Sequence, residues 1–405
     1  MNINKYDAII IGGGASGLMC AIAAKQKNNK IKIAIIEKND RIGKKLLSTG
    51  NGRCNLTNYN ISADKYFGSG KKLVDKLFEK YTTDYVLDIF KSLGLLSFSD
   101  NEGRYYPLCK QASAVLDVLR FACERLNVDI FCNENIKKIN RNNSGFMVTT
   151  DTQNFNSNKL VIACGSKASP KLGSTASAAD YLKNFGLKFT PFSPALCPIK
   201  VKSDLLKALK GVRVAGSVAL ARNNKELKRE YGEIQFTDTS LSGICVFNLS
   251  LYSQPNDIIS IDLLPDYSYY DVITLIKNQK ELFGNMPIDC IFTGVLQKRI
   301  TQILLKMNDI KDFSRLCSSL SDKEIKLIAG TIKKMSFIVA SNSNFDASQC
   351  AIGGLNADEI NPYDMQVKKV KGLYVCGEAI DICGECGGYN LHFAFSSGHL
   401  IGENL

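Results

Sequence analysis

The chain has no apolar run near the ~18 residues that a bilayer-spanning helix requires, so no membrane partner is expected. It carries only two histidines, His392 and His399, close together at the C-terminus. That excludes the spaced histidine sets of most metal and acid–base sites. A Cys-x-x-Cys occurs once, at Cys383 and Cys386, with neither a second pair nor a flanking histidine couple, and no metal is expected. There is no internal repeat and no low-complexity tract. The first eight residues are polar and lead straight into an apolar run, so no signal peptide is expected there.

What is present is a long and ordinary globular composition. The sequence has 405 residues, 45% of them hydrophobic and 22% charged, enough for two or three domains with sizeable cores. Fourteen cysteines without a disulfide framework read as small buried hydrophobes in a reducing compartment, and a cytoplasmic location is expected. The net charge of +12 comes from scattered lysines rather than a block. A nucleic-acid footprint would be clustered on one face, so the expected partner is a small molecule and not a nucleic acid. Nothing in the sequence reads out an oligomeric state.

The informative stretch begins at residues 6–11 (YDAIII), a short apolar run closed by glycines, which predicts a buried parallel strand. Residues 15–26 predict a helix and residues 32–37 (KIAIIE) a second strand, completing a βαβ unit. Between them Gly12-Gly-Gly14-Ala15-Ser16-Gly17 fits G-x-G-x-x-G. That pattern alone is weak, but here it follows a strand and opens a helix. Gly12 permits the tight turn, Gly14 lets backbone approach a pyrophosphate, and Gly17 lets helix and strand pack closely. Glu37 stands 20 residues after Gly17, where an acid accepts ribose hydroxyls and repels a 2′-phosphate.

These features fit FAD or NAD equally. Two later strand ends favour FAD. Residues 159–164 (KLVIAC) close at Gly165, and residues 372–376 (GLYVC) run into Gly377, Glu378 and Asp381, then Gly387-Gly388-Tyr389-Asn390 and a last helix over 391–403. A helix N-terminus there would face the N1–C2=O edge of a flavin, which is negative when reduced. Residues 40–58 read as a long functional loop, 71–91 and 112–126 as helices, and 129–139 and 145–150 as strands. Three prolines within residues 191–198 mark a boundary. The expected layout is a discontinuous nucleotide domain over 1–190 and 340–405, an inserted β-barrel-like domain over 191–268, and a helical subdomain over 269–339.

The runs GGGASGLMCAIAA from Gly12, STGNGRCNLTN from Ser48, GEIQFTDTSLSG from Gly232, and GLYVCGEAID with CGECGGYNLHFAFSSG from Gly372 resemble a bacterial flavoprotein family. It is the family of NAD(P)/FAD-dependent oxidoreductases of the aminoacetone-oxidase and bile-acid-reductase type. The resemblance spans nearly the whole chain. It implies an α/β Rossmann-like FAD-binding domain of the discontinuous, glutathione-reductase-like two-dinucleotide-binding type, with an inserted β-rich domain and a small helical subdomain. It implies that Gly12, Gly14, Ala15, Ser16, Gly17, Glu37 and Lys38 hold the ADP half, with the backbone of Ile136 at the adenine. Lys45, Gly50, Arg53, Cys54 and Asn55 would line the flavin side. Cys164 and Gly165 would sit at the sheet edge, Gly377, Glu378 and Asp381 at the ribityl chain or its phosphate, and Gly388, Tyr389, Asn390 and Leu391 at the pyrimidine edge. Departures occur where the family often has His and Pro (Asp238 and Ile244 here), glycine (Ala176) and Trp (Phe393).

A flavin brings its own redox chemistry, so little catalytic apparatus is required of the protein. The candidates are Arg53, which would hold an anion or acidify the adjacent Cys54, and His392, which follows the pyrimidine cradle. Cys383 and Cys386 form a candidate redox dithiol. No second G-x-G-x-x-G turn is present, which leaves NAD(P)H either a transient visitor to the inserted region or not the reductant. The expected activity is reduction of an unsaturated carbonyl compound by flavin. Amine oxidation, an RNA-interacting flavoprotein and a redox sensor without turnover are the alternatives.

Overall fold

Residues 3–11 alternate too little to leave one face wet, and the strand Ile3–Ile11 is accordingly central in its sheet. The computed structural model describes residues 3–142 and 145–405. The strand pairs in parallel with Ile33–Ile36 on one side and Asn154–Ile162 on the other, Ile10 lying opposite Ile35 and Val161. Asp129–Phe131 extends the first side. The other edge of Asn154–Ile162 is shared. Its first half pairs antiparallel with Gly145–Thr150, which continues to Ile136–Asn142, and its second half pairs in parallel with Leu373–Val375. Ile9, Ile10, Leu160 and Val161 have no exposed surface, each fully buried aliphatic contributing roughly 1.5–3 kcal/mol.

Parallel pairing has one consequence for function. The ends at Ile11, Ile36, Ile162 and Val375 lie on one edge, so the turns that follow all open there. The first helix, Ala15–Lys27, packs against the closing helix, Tyr389–Asn404, at very short range. A Cβ on Gly398 would lie 2.2 Å from the Ser16 carbonyl oxygen, and one on Gly402 would lie 2.4 Å from that of Cys20. The last residues of the chain thereby complete the layer begun by the first.

The helix expected over residues 71–91 is two helices, Lys71–Phe78 and Thr83–Ser92. Thr82 caps the second, its side chain accepting from the Tyr85 N–H, and Tyr81 is fully buried at the break. Likewise the strand expected over 129–139 is divided, Asp129–Phe131 from Ile136–Asn142, by a turn in which the Glu134 N–H donates to the Glu37 carbonyl.

The chain divides into two compact units, Met1–Ala195 with Phe345–Leu405, and Leu196–Asn344. In the second, six strands close a barrel: Ile199–Lys202, Ser240–Ser242, Lys225–Phe236, Arg213–Arg222, Ile258–Asp262 and Met335–Asn342. The closing strand comes after the helices Tyr269–Leu282, Lys298–Met307 and Asp322–Lys333, so barrel and helices share one core rather than separating near residue 268. Two of these helices start at capping boxes, Ser268 with Asp271 and Ser321 with Glu324. The strand Phe189–Ala195, where a boundary was expected at residue 191, pairs with Cys350–Leu355 within the first unit. Among the described residues no helix is long and apolar enough to cross a membrane.

Candidate functional site

At the strand edge the three glycines have separate surroundings. A Cβ on Gly12 would stand 2.5 Å from the Ala163 carbonyl oxygen, and one on Gly17 would stand 2.0 Å from that of Gly12. Gly12 also holds φ +106°. A Cβ on Gly14 would meet nothing within 4 Å. Two glycines therefore serve packing, and the third faces open space ahead of the helix. The first helical hydrogen bond is Leu18 N–H to Gly14 O, so the N–H groups of Ala15, Ser16 and Gly17 belong to the positive, outward end of the helix. That is the donor set a pyrophosphate needs, on the turn where backbone is free to meet it.

Glu37 stands at the end of the adjacent strand, nearly buried. One carboxylate oxygen accepts from Gly13 N–H at 2.9 Å, and the other accepts from the Asn39 N–H at 2.9 Å and its side-chain amide at 2.7 Å. A carboxylate offers about four acceptor positions, so room remains for a ribose hydroxyl. Burial lowers the pKa of Lys38, with Glu37 opposing. Ile136 opens the strand Ile136–Asn142 just after Glu134 meets Glu37, which brings its backbone to the same edge. Gly165, at φ +71°, again has nothing within 4 Å of a would-be Cβ, while burial pushes the neighbouring Cys164 thiol up to about 11. Gly377 comes close enough to the first helix that its Cβ would lie 2.7 Å from Ser16 Oγ.

The second half of the site is made from the loop of residues 43–58 and the closing turn of residues 384–390. Gly50, Asn51, Gly52 and Cys54 all have left-handed backbones, with φ of 56°, 54°, 81° and 60°. This winding sends Cys54 inward and Arg53 outward. Cys54 is fully buried, and burial pushes its thiol up to about 12. Arg53 is exposed; its guanidinium lies 4.6 Å over the Tyr106 ring and its Nε donates to Gly50 O at 3.2 Å. The expected acidification of Cys54 by Arg53 is thus absent, since the two side chains leave opposite faces of the loop and Cys54 is an inert core thiol.

Lys45 and Glu378 form an ion pair at 2.6 Å, and the other Glu378 oxygen accepts from the Ala351 N–H at 3.1 Å. Burial works against the Lys45 charge, but Glu378 outweighs it and the pKa is raised. Asp381 is committed to the chain's own donors: Gly353 N–H at 3.0 Å, Ser69 N–H at 3.2 Å and Thr190 Oγ1 at 3.3 Å. The two glycine-rich segments touch. Asn58 Nδ2 donates to Gly387 O at 2.9 Å, and a Cβ on Gly388 would stand 2.4 Å from Thr57 O. With its oxygen turned toward Gly388 N–H at 3.1 Å, the Asn55 amide also donates to Thr57 O and Tyr105 O. Asn390 exchanges two 2.8 Å hydrogen bonds with the backbone of Gly384, and the Tyr66 hydroxyl donates to Tyr389 O at 2.7 Å. Leu391 follows in the first turn of the closing helix.

His392 has no exposed surface. Its Nε2 lies 2.9 Å from the Tyr81 carbonyl oxygen, which only accepts, so Nε2 carries the hydrogen. Nδ1 then accepts from Thr57 Oγ1 at 2.8 Å. Burial lowers the imidazole pKa to about 4. With both nitrogens committed, the candidate role of His392 as an acid or base is withdrawn. The two thiols of the Cys-x-x-Cys differ in setting. Cys383 is fully buried and hydrogen-bonds the Cys350 thiol, whereas Cys386 Sγ lies 3.9 Å from Gln349 Oε1. That contact with Cys350, then burial, hold the Cys383 thiol well above its ordinary range. Sequence reading missed Thr57, Asn58, Tyr66, Tyr81 and Gln349. Thr57 and Asn58 lay inside the quoted run, but the others had no local signal.

The residues from 6 to 404 match the family described as HI0933-like protein Rossmann domain. The chain belongs to that family. Together with the glycine turn at the strand edge, membership makes the chain an FAD-dependent oxidoreductase. It is 32% identical over 401 residues to a 3-dehydro-bile acid delta(4,6)-reductase of Clostridium scindens, covering 97% of each chain. It is 28% identical over 407 residues to a ribosomal RNA dihydrouridine synthase of Escherichia coli, covering 100% of this chain and 98% of the relative. Among solved structures it is similar in fold to the E. coli quinol fumarate reductase, with TM-score 0.51 and 15% identity over 100% of this chain and 70% of that one. It is similar also to a 3-ketosteroid-delta4-(5alpha)-dehydrogenase of Rhodococcus jostii, with TM-score 0.50 and 12% identity over 99% and 95%.

Within this HI0933-like chain three departures from the family pattern have visible settings. Ala176, where a glycine was expected, holds φ +61°, so an alanine occupies a left-handed position. In the inserted unit Phe236 is buried in the barrel core, Asp238 pairs with Lys210 at 2.8 Å on the surface, and Ile244 is half exposed.

Proposed function

We propose that this chain reduces a carbon–carbon double bond conjugated to a carbonyl group in a small cyclic substrate, using FAD. The observation that carries this reading is the chemistry shared by two relatives aligned over nearly their whole length. A 3-oxo steroid acid with 4,6-unsaturation is a conjugated dienone. Dihydrouridine is a uracil whose ring double bond, conjugated to a carbonyl, has been reduced. When bound and in its reduced form, the flavin would supply a hydride to the carbon distal to the carbonyl and return to the oxidised form, while a proton would complete the neighbouring carbon. The protein's part is binding and electrostatics. The helix end at Gly14 would take the pyrophosphate, Glu37 the ribose, and Lys45 with Glu378 the ribityl region. The closing helix begins at Gly388, its first hydrogen bond running from His392 N–H, so its positive end would favour negative charge on the pyrimidine edge. Neither His392 nor Cys54 is free to deliver the proton. Nicotinamide would enter only transiently, since this reading uses one glycine turn for one dinucleotide.

The preferred substrate is an enone of the steroid-acid class, in line with the more identical relative. A uridine in ribosomal RNA is the second reading, favoured by two relatives of that name and in keeping with the net charge of +12. The test is anaerobic photoreduction of the purified yellow protein followed by mixing with a 3-oxo-Δ4,6 steroid acid or with a ribosomal RNA transcript. Rapid return of the oxidised flavin spectrum with the steroid, and a product two mass units heavier, is expected. Reoxidation by the transcript alone would transfer the activity to RNA. Reoxidation by oxygen only, with peroxide formed from an amine, would overturn both.

A further inference from the structure

Both histidines sit on the closing helix, and both meet Tyr81. His392 donates to the Tyr81 carbonyl; the Tyr81 hydroxyl lies 3.0 Å from His399 Nδ1 and donates to Glu403 at 2.7 Å, with Lys80 pairing to Glu403 at 2.6 Å. The other nitrogen of His392 reaches Thr57, in the loop that meets the closing turn. A chain of contacts therefore runs from the break between two helices, through an imidazole without solvent contact, to the loop, and from the loop to the backbone of Gly387 and Gly388. The Phe78 ring stands edge-on to the imidazole at 4.7 Å.

We propose that His392 is a positioning residue for FAD, bolting the loop of residues 53–58 to the start of the closing helix and so fixing the width of the cradle's flavin edge. This rests on the placement of FAD along that edge. A buried imidazole is costly unless both nitrogens are satisfied, and here both are satisfied by groups of other elements rather than by its own helix. An ordinary packing residue at this place would be apolar. A polar residue that joins three segments fixes their relative register, because any shift leaves Thr57 or Tyr81 unpaired in the core. The imidazole stays uncharged down to acidic pH, consistent with a fixed spacer rather than a proton carrier.

The test uses the full-length holoprotein and three variants: His392→Phe, which keeps a flat ring, slightly larger, and loses both hydrogen bonds; His392→Gln, which keeps one donor and one acceptor; and Thr57→Val, which removes the partner from the loop side. FAD dissociation constant, flavin absorbance and midpoint potential are measured beside thermal melting. We expect about tenfold weaker FAD and a shifted flavin spectrum in the Phe and Val variants, with Gln restoring both. Thr57→Val keeps the proposal testable if His392→Phe fails to fold. Wild-type FAD affinity and spectrum in the Phe or Val variant, with only the melting temperature lowered, would overturn it; so would failure of Gln to rescue. None of these readouts involves a substrate, so an inactive wild type would sink the proposed reaction and leave this inference standing.

Discussion

The two halves of the cofactor cradle are built on opposite principles. The half proposed for ADP is local: strand, glycine turn, helix and acid all lie within residues 3–37 and are held by one βαβ unit. The half proposed for the flavin is assembled from residues 43–58 and 377–392, more than 300 positions apart, joined by hydrogen bonds of the Asn55, Asn58 and His392 side chains. The local half is robust because helix and strand formation positions it. The distant half is only as well positioned as its seam.

The comparison is broken most sharply within the glycine turn. Gly17→Ala puts a methyl carbon 2.0 Å from Gly12 O and should cost about 3 kcal/mol or more, lowering FAD content by unfolding the unit. Gly14→Ala finds open space and should leave the melting temperature of FAD-free protein unchanged while weakening FAD. Equal losses of stability in the two would show that Gly14 is a packing glycine too. On the distant side, Gly388→Ala meets Thr57 O at 2.4 Å and holds φ +99°; about 2–3 kcal/mol of destabilisation is expected, measured by urea unfolding.

A pH titration sharpens the same contrast. His392 is at about 4 when folded and at the ordinary 6.5 when unfolded, so the unfolded chain takes the proton first. Stability from this residue is therefore complete above pH 6.5 and is lost as pH falls toward 4, by about 3 kcal/mol at most. Glu403 runs in the same direction but lower, its carboxyl held at about 2 by His399, Lys80 and Tyr81 against the opposing effect of burial, so its share is lost between 4.5 and 2. Urea unfolding at pH 7 and pH 5 should show a decline in wild type that His392→Gln lacks; parallel declines would place the titration elsewhere.

Arg53 belongs to the weak end of the scale. Exposed over Tyr106, it contributes about 0.5–1 kcal/mol, and Arg53→Ala should move the flavin spectrum less than His392→Phe. A larger effect from Arg53 would return it to the flavin.

What could be read from sequence follows the same division. The strand, glycine turn and helix around Gly12–Gly17, the strand ends and the barrel-like insertion were legible, because period and turn chemistry are local. The settings of Cys54, Arg53 and His392 were not. A left-handed backbone at Cys54 decides which neighbour faces water, and adjacency in sequence says nothing of it. Tyr81 was hidden inside a stretch whose periodicity reads as one helix, and only the Thr82 cap separates it. His392 read as a weak catalytic candidate because its two partners, Thr57 and Tyr81, lie over 300 residues upstream.

The smallest expected effect lies at Ala176, ahead of the helix Ser177–Lys183 on the strand edge that carries Cys164. Its φ of +61° costs an alanine about 1–2 kcal/mol that glycine does not incur. Against that, glycine loses about 0.4–1 kcal/mol more chain entropy on folding. The difference favours Ala176→Gly by about 0.5 kcal/mol, a rise of roughly one or two degrees in melting temperature for a unit of this size. FAD affinity should stay the same, since the change relieves backbone strain without adding an atom. Calorimetry of FAD-free and FAD-loaded protein separates the two. A stability gain found only in the loaded form would mean that this turn contacts the cofactor, and that the local half of the cradle extends beyond the first βαβ unit.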